Sequence, residues 1–385
     1  MKWEKVKLGE LYEVHNGLSK AGKFFGEGYP FLTFSTVFNN YFIPKQITDL
    51  VQSTEKEQES YSIRRGDVFV TRTSETSDEL GMSCVALKDY PMATYNGFTK
   101  RMRPITNRVF PEYIGYYMRL PSFRGEFRAF STMTTRASLR NEDLLGLEVK
   151  LPSIEIQKQI ADILSAYDDL IENNQKQIKL LEEAAQRLYK EWFVDLRFPG
   201  HENTEIVDGV PEGWIKEEIG KIIKKVHRTK QIVASEYKDE GSIPIVDQSR
   251  AFVAGYTNDL EARVDFGIPI IVFGDHTRIV KLIQFPFAKG ADGTQLIISD
   301  CLEMPQRLLY CSIMNVDLSN YHYARHFKYL KEEKIMIPTV KVANEFENNV
   351  TGIFSKIQNC RDEIIRCQKT RNLLLPKLMS GEVEV

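Results

Sequence analysis

The sequence predicts an α+β fold in which two mixed α/β domains are separated by an antiparallel pair of long helices with pseudo-twofold symmetry. Three observations predict this fold. A heptad pattern of apolar residues occurs twice at one offset (346 − 160 = 186), a Leu-Pro or Ile-Pro step precedes each copy, and a W-x4-[LI]-G motif opens each half. A sustained four-and-three spacing is typical of a coiled-coil seam. Its duplication indicates that the chain encodes one long unit twice.

Composition and charge narrow the class of protein. Hydrophobic residues make up 42% and charged residues 27% of the 385 positions, as in a globular chain of two or three domains. No apolar run approaches the ~18 residues of a membrane span, and the first residues lack the apolar core of a signal peptide. The five cysteines lack paired spacing, which suits a reducing compartment. We therefore expect a cytoplasmic protein that does not contact membranes.

The first domain is expected over residues 1–152. Residues 66–72 read as a turn that leads into a buried strand, and Asn96-Gly97 is a turn signal. The net charge of −2 argues against a non-specific nucleic-acid coat but is compatible with local basic patches. One basic stretch, for which a solvated surface is the alternative interpretation, contains Arg119, Arg124, Arg128, Arg136 and Arg140.

The first long helix is expected over residues 153–195. Pro152 stands just before it, where the missing N–H of proline costs no helical hydrogen bond. At 1.5 Å per residue such a helix is about 60 Å long. A polar linker, residues 196–211, follows it. Because this linker is short, a second helix that returns antiparallel is favoured over one that runs parallel.

The second domain is expected over residues 212–338, and the second long helix with a C-terminal tail over residues 339–385. Trp214 repeats Trp3 at a larger offset (214 − 3 = 211). The stretch between this opening motif and the long helix, here called the body of each half, is therefore 25 residues shorter in the second half (211 − 186 = 25). Residues 268–274 are the counterpart of the first buried strand. Pro376 is expected to end or kink the second helix. The two copies thus share their ends but differ in their bodies, as one scaffold with two different surfaces would.

The seam of the helix pair follows from the heptad positions. Two of these positions are polar, Asn174 and Arg371. A buried Asn typically fixes helix register at some cost in stability, and a local departure of the two helices is the alternative. The predicted seam residues are Ile160, Leu164, Tyr167, Ile171, Asn174, Ile178, Leu181, Leu188, Phe346, Val350, Ile353, Ile357, Ile364 and Leu374.

Motifs for catalysis are not found in the sequence. Residues 17–24 almost match a phosphate-binding loop, but Phe24 stands where Ser or Thr would hold Mg²⁺. Metal-ligand spacings and a glycine-rich dinucleotide motif are also missing. Asp275 and His276 either fix a polar turn or have a functional role, and for a functional role DNA contact is favoured over acid–base chemistry. We therefore predict a non-catalytic recognition subunit without a metal site.

The segment LPSIEIQKQIADIL, which begins at Leu151, resembles the motif that opens the central conserved helix in specificity subunits of type I restriction–modification systems. The corresponding segment after Ile337-Pro338 is more degenerate. The segments FGDHTR from Phe273, GADGT from Gly290 and RHFKYL from Arg325 are similar to motifs of the target recognition domains in this family. The resemblance covers essentially the whole chain.

The resemblance implies two target recognition domains, each of which reads one half of a bipartite site in double-stranded DNA. It also implies that the helix pair sets the spacing of these halves and docks two modification (methyltransferase) subunits, and that restriction (motor–nuclease) subunits complete the complex. S-adenosylmethionine, ATP and Mg²⁺ would be used by those partners, and none would be bound by this chain. The alternatives are a coiled-coil protein-binding scaffold without DNA specificity and an unrecognised stand-alone DNA-modifying enzyme.

The residues expected to contact DNA are cations and polar side chains near the turns of the two domains. Lys and Arg position a protein on phosphates, whereas Arg, Asn, His and Thr side chains can also read base edges. In the first domain we predict Thr71, Arg72, Asn96, Lys100, Arg101, Arg128 and Arg136. In the second domain we predict Asp275, His276, Thr277, Arg278, Lys289, Arg325 and Lys328.

Overall fold

The computed structural model describes residues 3–74, 80–129, 137–227, 229–321 and 325–385, with only the backbone at residues 73, 74, 128, 129, 137 and 138. The chain forms two compact units: unit 1 is Met1–Glu172 with Ile365–Val385, and unit 2 is Asn173–Ile364. The helices are α1 (Leu8–Leu11), α2 (Phe34–Asn39), α3 (Glu55–Ser60), α4 (Pro111–Tyr117), α5 (Pro121–Ala129), α6 (Asn141–Gly146), α7 (Ile154–Tyr189), α8 (Gln306–Met314), α9 (His326–Glu332) and α10 (Val340–Ser380).

Within the described residues of unit 1, the strands form four small sheets. One has the order β2-β9-β5-β7, a second has the order β4-β3-β8, and two others are the antiparallel pairs β1-β11 and β6-β10. The strands are β1 (Glu4–Lys7), β2 (Tyr12–Asn16), β3 (Phe25–Leu32), β4 (Leu50–Val51), β5 (Val68–Thr71), β6 (Thr73–Ser74), β7 (Ser83–Val85), β8 (Thr94–Tyr95), β9 (Thr99–Pro104), β10 (Ala137–Ser138) and β11 (Glu148–Leu151).

The strands of unit 2 are arranged in a similar way. The sheets are β20-β19-β22, β15-β21-β16-β17 with β18 beside β21, and the pairs β12-β13 and β14-β23. The strands are β12 (Ile206–Val207), β13 (Val210–Pro211), β14 (Ile215–Glu218), β15 (Gln231–Ile232), β16 (Ile243–Val246), β17 (Gly255–Thr257), β18 (Arg263–Val264), β19 (Ile270–Gly274), β20 (Val280–Ile283), β21 (Phe287–Gly290), β22 (Thr294–Ile297) and β23 (Lys334–Ile337).

The strand pairings repeat between the units at the offsets seen in the sequence. Glu4 pairs with Leu151, and Ile215 pairs with Ile337, which are shifted by 211 (215 − 4) and 186 (337 − 151). The central buried strand β5 lies between β7 and β9, as β19 lies between β20 and β22. The strand β3 is parallel to β8, as β16 is parallel to β21. The duplicated sequence therefore encodes a duplicated topology.

The long helices α7 and α10 pack together in both units. In unit 2, Asn174 donates a hydrogen bond to Glu363 at 3.1 Å, and the Trp192 ring lies 5.7 Å from that of Phe346. Residues with higher numbers along the first long helix contact residues with lower numbers along α10, so the two helices run antiparallel. In unit 1, Asp168 of α7 forms an ion pair with Arg371 of α10. All predicted seam residues are buried or half-buried, because the heptad positions of each helix face its neighbour.

The helix ends differ from the expected ones. The helix α7 ends at Tyr189, and a π-helical turn, Lys190–Val194, follows it. The helix α10 does not end at Pro376 but continues to Ser380. Its last turns place Leu375, Leu378 and Met379 in the core of unit 1. Burial of these side chains offsets the backbone hydrogen bond that proline removes.

The residues that follow α7 are not a plain polar linker. Phe198 is buried, and its ring lies 4.6 Å from that of Trp214. A short hairpin formed by β12 and β13 precedes that tryptophan. The segment is thus packed onto the start of the second body. Among the helices of the described residues, none combines the length and the apolar character that crossing a membrane requires.

Candidate nucleic-acid interface

In unit 1, the predicted residues cluster where three strands meet at one edge. Since β3 and β8 are parallel, their carboxyl ends lie at the same edge, and Asn96 directly follows β8. The strand β5 ends at Thr71, opposite the start of β9 at Thr99, and Arg72 follows it. Lys100 on β9 lies opposite the last residue of β2, Asn16. The topology therefore brings together Arg72, Asn96 and Lys100, which are far apart in sequence.

A polar cleft opens at this edge of unit 1. Arg72 is half-buried, and its Nε has no hydrogen-bond partner among the described residues. Lys100 donates a hydrogen bond to Asn141, and its pKa is lowered by burial and then by the charge of Arg72. Such a concentration of positive charge favours an anionic ligand. The cleft is lined by Asn16, Arg72, Lys100, Leu139, Arg140, Asn141 and Glu142.

Two other predicted residues of unit 1 are interior groups. Thr71 is fully buried and accepts a hydrogen bond from the Met82 N–H at 2.9 Å. Arg101 is 3% exposed, donates to the Ser62 carbonyl at 2.8 Å and lies over the Tyr95 ring. Their burial argues against direct contact with DNA. Asn96 is half-buried and uses its Oδ1 to accept the Phe98 N–H.

The basic stretch before α7 serves two purposes. Arg119, which follows α4, donates to the carbonyl oxygens of Ser83 on β7 and of Val37 and Asn40 at the end of α2, so it ties these elements together. Arg140, in contrast, is exposed and lines the cleft. It was not among the predicted contacts, although its place in the basic stretch was a signal for it. The side chain of Arg128 and the whole of Arg136 lie outside the described residues.

In unit 2, the equivalent edge is built by the equivalent strands. The parallel strands β16 and β21 end there, followed by residues 247–249 and 291–293. The strand β19 ends at Gly274, opposite Thr294 at the start of β22, and residues 275–278 follow it. We call these three segments the recognition loops of unit 2. The edge matches that of unit 1, but different side chains follow each strand.

The three sequence motifs of the second domain meet at this edge. Asp275 is 6% exposed, and its N–H donates to the Gly293 carbonyl at 2.7 Å. Its carboxylate accepts the Phe327 N–H at 2.8 Å, so it fixes the start of α9. The two ring nitrogens of His326 lie 2.9 Å from the Asp275 carbonyl and 2.8 Å from the Tyr321 carbonyl. Asp275 and His326 therefore organise the loops from inside.

A cleft of about 1130 Å³ lies beside these loops and is rich in cations. Four predicted residues line it, namely Asp275, His276, Lys289 and Arg325. His276 and Arg325 are exposed, whereas burial lowers the pKa of the half-buried Lys289. Four further residues, Lys224, Lys225, His227 and Lys331, were not predicted from the sequence. The basic and histidine side chains that line the cleft are Lys224, Lys225, His227, His276, Lys289, Arg325 and Lys331, against the acids Asp275 and Asp292.

The remaining predicted residues of unit 2 are exposed but do not line this cleft. Thr277 donates to the Gln248 carbonyl at 2.7 Å. Arg278 has φ of +60° and donates to the Leu318 carbonyl at 3.0 Å. Lys328 lies over the Tyr329 ring at 5.8 Å. These contacts hold the loop and the first turn of α9 in shape. Among the described residues, no group of His, Cys, Asp and Glu is arranged to hold a metal ion.

Comparison with known proteins shows which family the chain resembles. Residues 1–183 match the model of the type I restriction modification DNA specificity domain. Over its full length the chain is similar to type I restriction–modification specificity subunits. The resemblance predicted from the sequence is therefore confirmed. The family's description concerns DNA specificity, which supports a recognition subunit rather than an enzyme.

Two relatives of this specificity subunit come from Methanocaldococcus jannaschii. The type I restriction enzyme MjaIX specificity subunit is 28% identical over 414 aligned positions, which cover 100% of this chain and 94% of the relative. The putative type I restriction enzyme MjaX specificity subunit is 26% identical and aligns with 66% of this chain and 61% of its own length. The first alignment spans both units, so the relationship extends beyond residue 183.

A solved structure is similar to the subunit over nearly its full length. The crystal structure of the type I restriction–modification system S subunit from M. genitalium superposes with a TM-score of 0.58 at 15% identity, covering 98% of this chain and 96% of that chain. At this identity the similarity concerns the fold. It confirms the predicted fold class, two mixed α/β bodies with a long helix pair. The predicted domain boundaries and DNA contacts remain predictions.

Proposed function

We propose that this chain is the DNA-recognition subunit of a type I restriction–modification complex and that each unit reads one half of a bipartite site. The observation that carries the proposal is the matching strand edge of the two units. At both edges, cations and amides surround a polar cleft, but the side chains differ. One scaffold with two surfaces fits two different half-sites.

The charge of the clefts supports DNA as the ligand. The overall net charge is −2, so the cations of the two clefts are local concentrations. Cations that neutralise phosphates release counterions, which makes binding strong at low salt and sequence-independent. Sequence is then read by a few side chains that reach base edges. In unit 1 we assign contacts to the half-buried Arg72 and the exposed Arg140, whereas Lys100, which is 5% exposed, supplies positive charge to the wall of the cleft. In unit 2 we assign contacts to His276, Lys289 and Arg325.

The buried predicted residues act through their neighbours in this proposal. Thr71, Arg101 and Asp275 shape the loops. Asn96, Thr277, Arg278 and Lys328 already contact protein groups, so we rank them below the residues that line the clefts as candidates for DNA contact. We assign residues 1–152 and 212–338 as the target recognition domains. The helix pair, to which both units contribute, would set the distance between the half-sites.

We infer the partner subunits from the family that the chain resembles. We propose that two modification subunits dock on the helix pair and that restriction subunits join the complete complex in the cytoplasm. S-adenosylmethionine, ATP and Mg²⁺ would be bound by these partners. The side chains at the two edges are cations, amides and loop-fixing acids, which suits recognition without chemistry.

The proposal is tested with purified modification subunits in the presence and absence of this chain. We expect sequence-specific retention and methylation of duplex DNA only when the chain is present, with an affinity that falls steeply as salt rises. Methylation or cleavage by the chain alone would instead indicate a stand-alone enzyme. A complete complex without sequence preference would indicate a protein-binding scaffold.

A further inference from the structure

Gln248 lies in one of the three recognition loops of unit 2, and its side chain bonds to both of the others. Its Oε1 accepts a hydrogen bond from the main-chain N–H of His276 at 3.1 Å, and its Nε2 donates to the main-chain carbonyl of Asp292 at 2.9 Å. Its own carbonyl accepts the Thr277 hydroxyl at 2.7 Å. A single amide therefore bridges the loops that follow β16, β19 and β21. No motif marked this residue in the sequence.

The space around Gln248 leaves its side chain little freedom. A Cβ at Gly293, which has φ of +70°, would lie 2.7 Å from both Gln248 Nε2 and His276 Cδ2. A Cβ at Gly274 would lie 2.9 Å from the Gln248 Cβ. Two glycines thus let the backbone close around the amide. The amide's position and that of the exposed His276 are consequently set together.

The segment that carries Gln248 is itself anchored. The Nζ of the buried Lys281 donates to the carbonyl oxygens of Asp247 at 2.8 Å and Ala251 at 2.5 Å. The Phe252 ring lies 3.7 Å from the guanidinium of Arg361 on α10. That guanidinium also pairs with Glu182 on α7 at 2.8 Å. The segment 247–252 is therefore fixed to β20 and to the helix pair.

We propose that Gln248 is a positioning residue for DNA specificity: it sets the placement of the loops that carry His276 and Asp292, and so determines which half-site unit 2 accepts. The proposal rests on the proposed function of the unit 2 cleft. The uncharged amide of glutamine can both accept from the one loop and donate to the other, whereas an ionised carboxylate can only accept. Glutamate keeps the acceptor for His276 but places an oxygen against the Asp292 carbonyl.

The experiment uses the full chain assembled with its modification subunits. Methylation kcat/KM is measured on duplexes in which each position of the methylated site is varied in turn. His276→Ala, a change at the cleft surface, identifies the half-site that unit 2 reads. We expect Gln248→Ala, which removes both side-chain hydrogen bonds, to weaken discrimination within that half-site about tenfold and to leave the other half-site unchanged.

Two further variants keep the result interpretable. Gln248→Glu keeps the acceptor for His276 but sets a carboxylate oxygen against the Asp292 carbonyl, so its discrimination should be no better than that of Gln248→Ala. Asn258→Ala removes another loop amide of unit 2, which accepts from Ser242 and does not line the cleft. It should change neither half-site. Thermal melting of each variant verifies that the chain is folded.

The possible failures are distinguishable. If His276→Ala relaxes one half-site and Gln248→Ala does not, the positioning role is wrong while the proposed function stands. If Gln248→Ala lowers methylation of every sequence equally, the residue is merely structural, and the proposal is again overturned. If neither variant, nor Arg325→Ala, alters specificity in a complex that still methylates one site, the proposed function of the unit 2 cleft fails.

Discussion

Charged side chains in this protein have two separate roles, and the degree to which each side chain is buried shows which role it has. Arg101 and Arg119 are turned inward and donate to main-chain carbonyl oxygens, whereas Arg140 and Arg325 stay exposed beside the clefts. The sequence marks all four as cations near turns. It cannot tell them apart, because the direction of a side chain depends on which strands become neighbours. Burial therefore has to be known before DNA contacts are assigned.

Lys281 provides a test at the scale of one residue. Burial lowers its pKa to about 8, well below its ordinary value of 10.5, although two carbonyl oxygens accept from it. The unfolded chain thus binds more protons than the folded chain between pH 8 and 10.5. Because of this difference, the contribution of Lys281 to the free energy of unfolding should rise with pH over that window, by at most about 3 kcal/mol.

The measurement is denaturant unfolding of the wild type and of Lys281→Met at several pH values. Subtracting the two curves removes the titration of all other groups. We expect the wild type to gain stability relative to Lys281→Met from pH 8 to pH 10. A difference that stays flat or falls over this range would contradict the lowered pKa.

At the scale of elements, the helix pair contains polar contacts at positions that a coiled coil usually fills with apolar residues. Asp168 accepts from Arg371 and, at 2.5 Å, from the hydroxyl of Tyr116 on α4. The Arg371 guanidinium also lies over the Tyr41 ring. In unit 2, Asn174 bonds to Glu363. The two polar seam positions are therefore paired across the helices, which favours the register interpretation over a local departure.

The ion pair of unit 1 predicts a non-additive response to mutation. Arg371→Met should lower the free energy of unfolding by about 2 kcal/mol, because it leaves a half-buried carboxylate without its cation. Adding Asp168→Asn should recover part of this loss, since the unpaired charge is then gone. The double-mutant cycle is measured by urea unfolding.

A matched control lies on α7, the helix that carries Asp168. Arg187 pairs with Glu183 one turn away, and its side chain is 82% exposed. Arg187→Met should therefore change the free energy of unfolding by less than about 0.5 kcal/mol. Equal losses for Arg371→Met and Arg187→Met, or strictly additive effects in the double mutant, would show that the contact does not fix the register.

Helices and strands were predictable from the sequence to different degrees. The heptad spacing fixes which face of α7 and α10 is buried, because a helix keeps one period over its whole length. The continuation past Pro376 was not predictable, since it depends on the core that receives Leu378. The edge clefts were predicted only in part. Arg72 and Asp275 follow recognisable strands, but Gln248 becomes important through strand neighbours that the sequence does not reveal.

At the scale of the whole molecule, duplication explains why one chain can serve two recognition tasks. Equivalent strands, β5 and β19, end at equivalent edges, but Arg72 follows the first and Asp275 the second. The scaffold fixes where a loop begins, and the loop residues are free to differ. A target with two dissimilar halves, separated by bases that neither unit reads, is what such a chain is suited to recognise.

The central claim is that the two units read different halves of one site. The most direct test is methylome sequencing of cells that carry the modification subunits with the wild-type chain, Arg72→Ala or Arg325→Ala. We predict a two-part motif in which Arg72→Ala relaxes one part, Arg325→Ala relaxes the other, and the spacer length stays constant. A single uninterrupted motif, or both variants relaxing the same part, would contradict this claim.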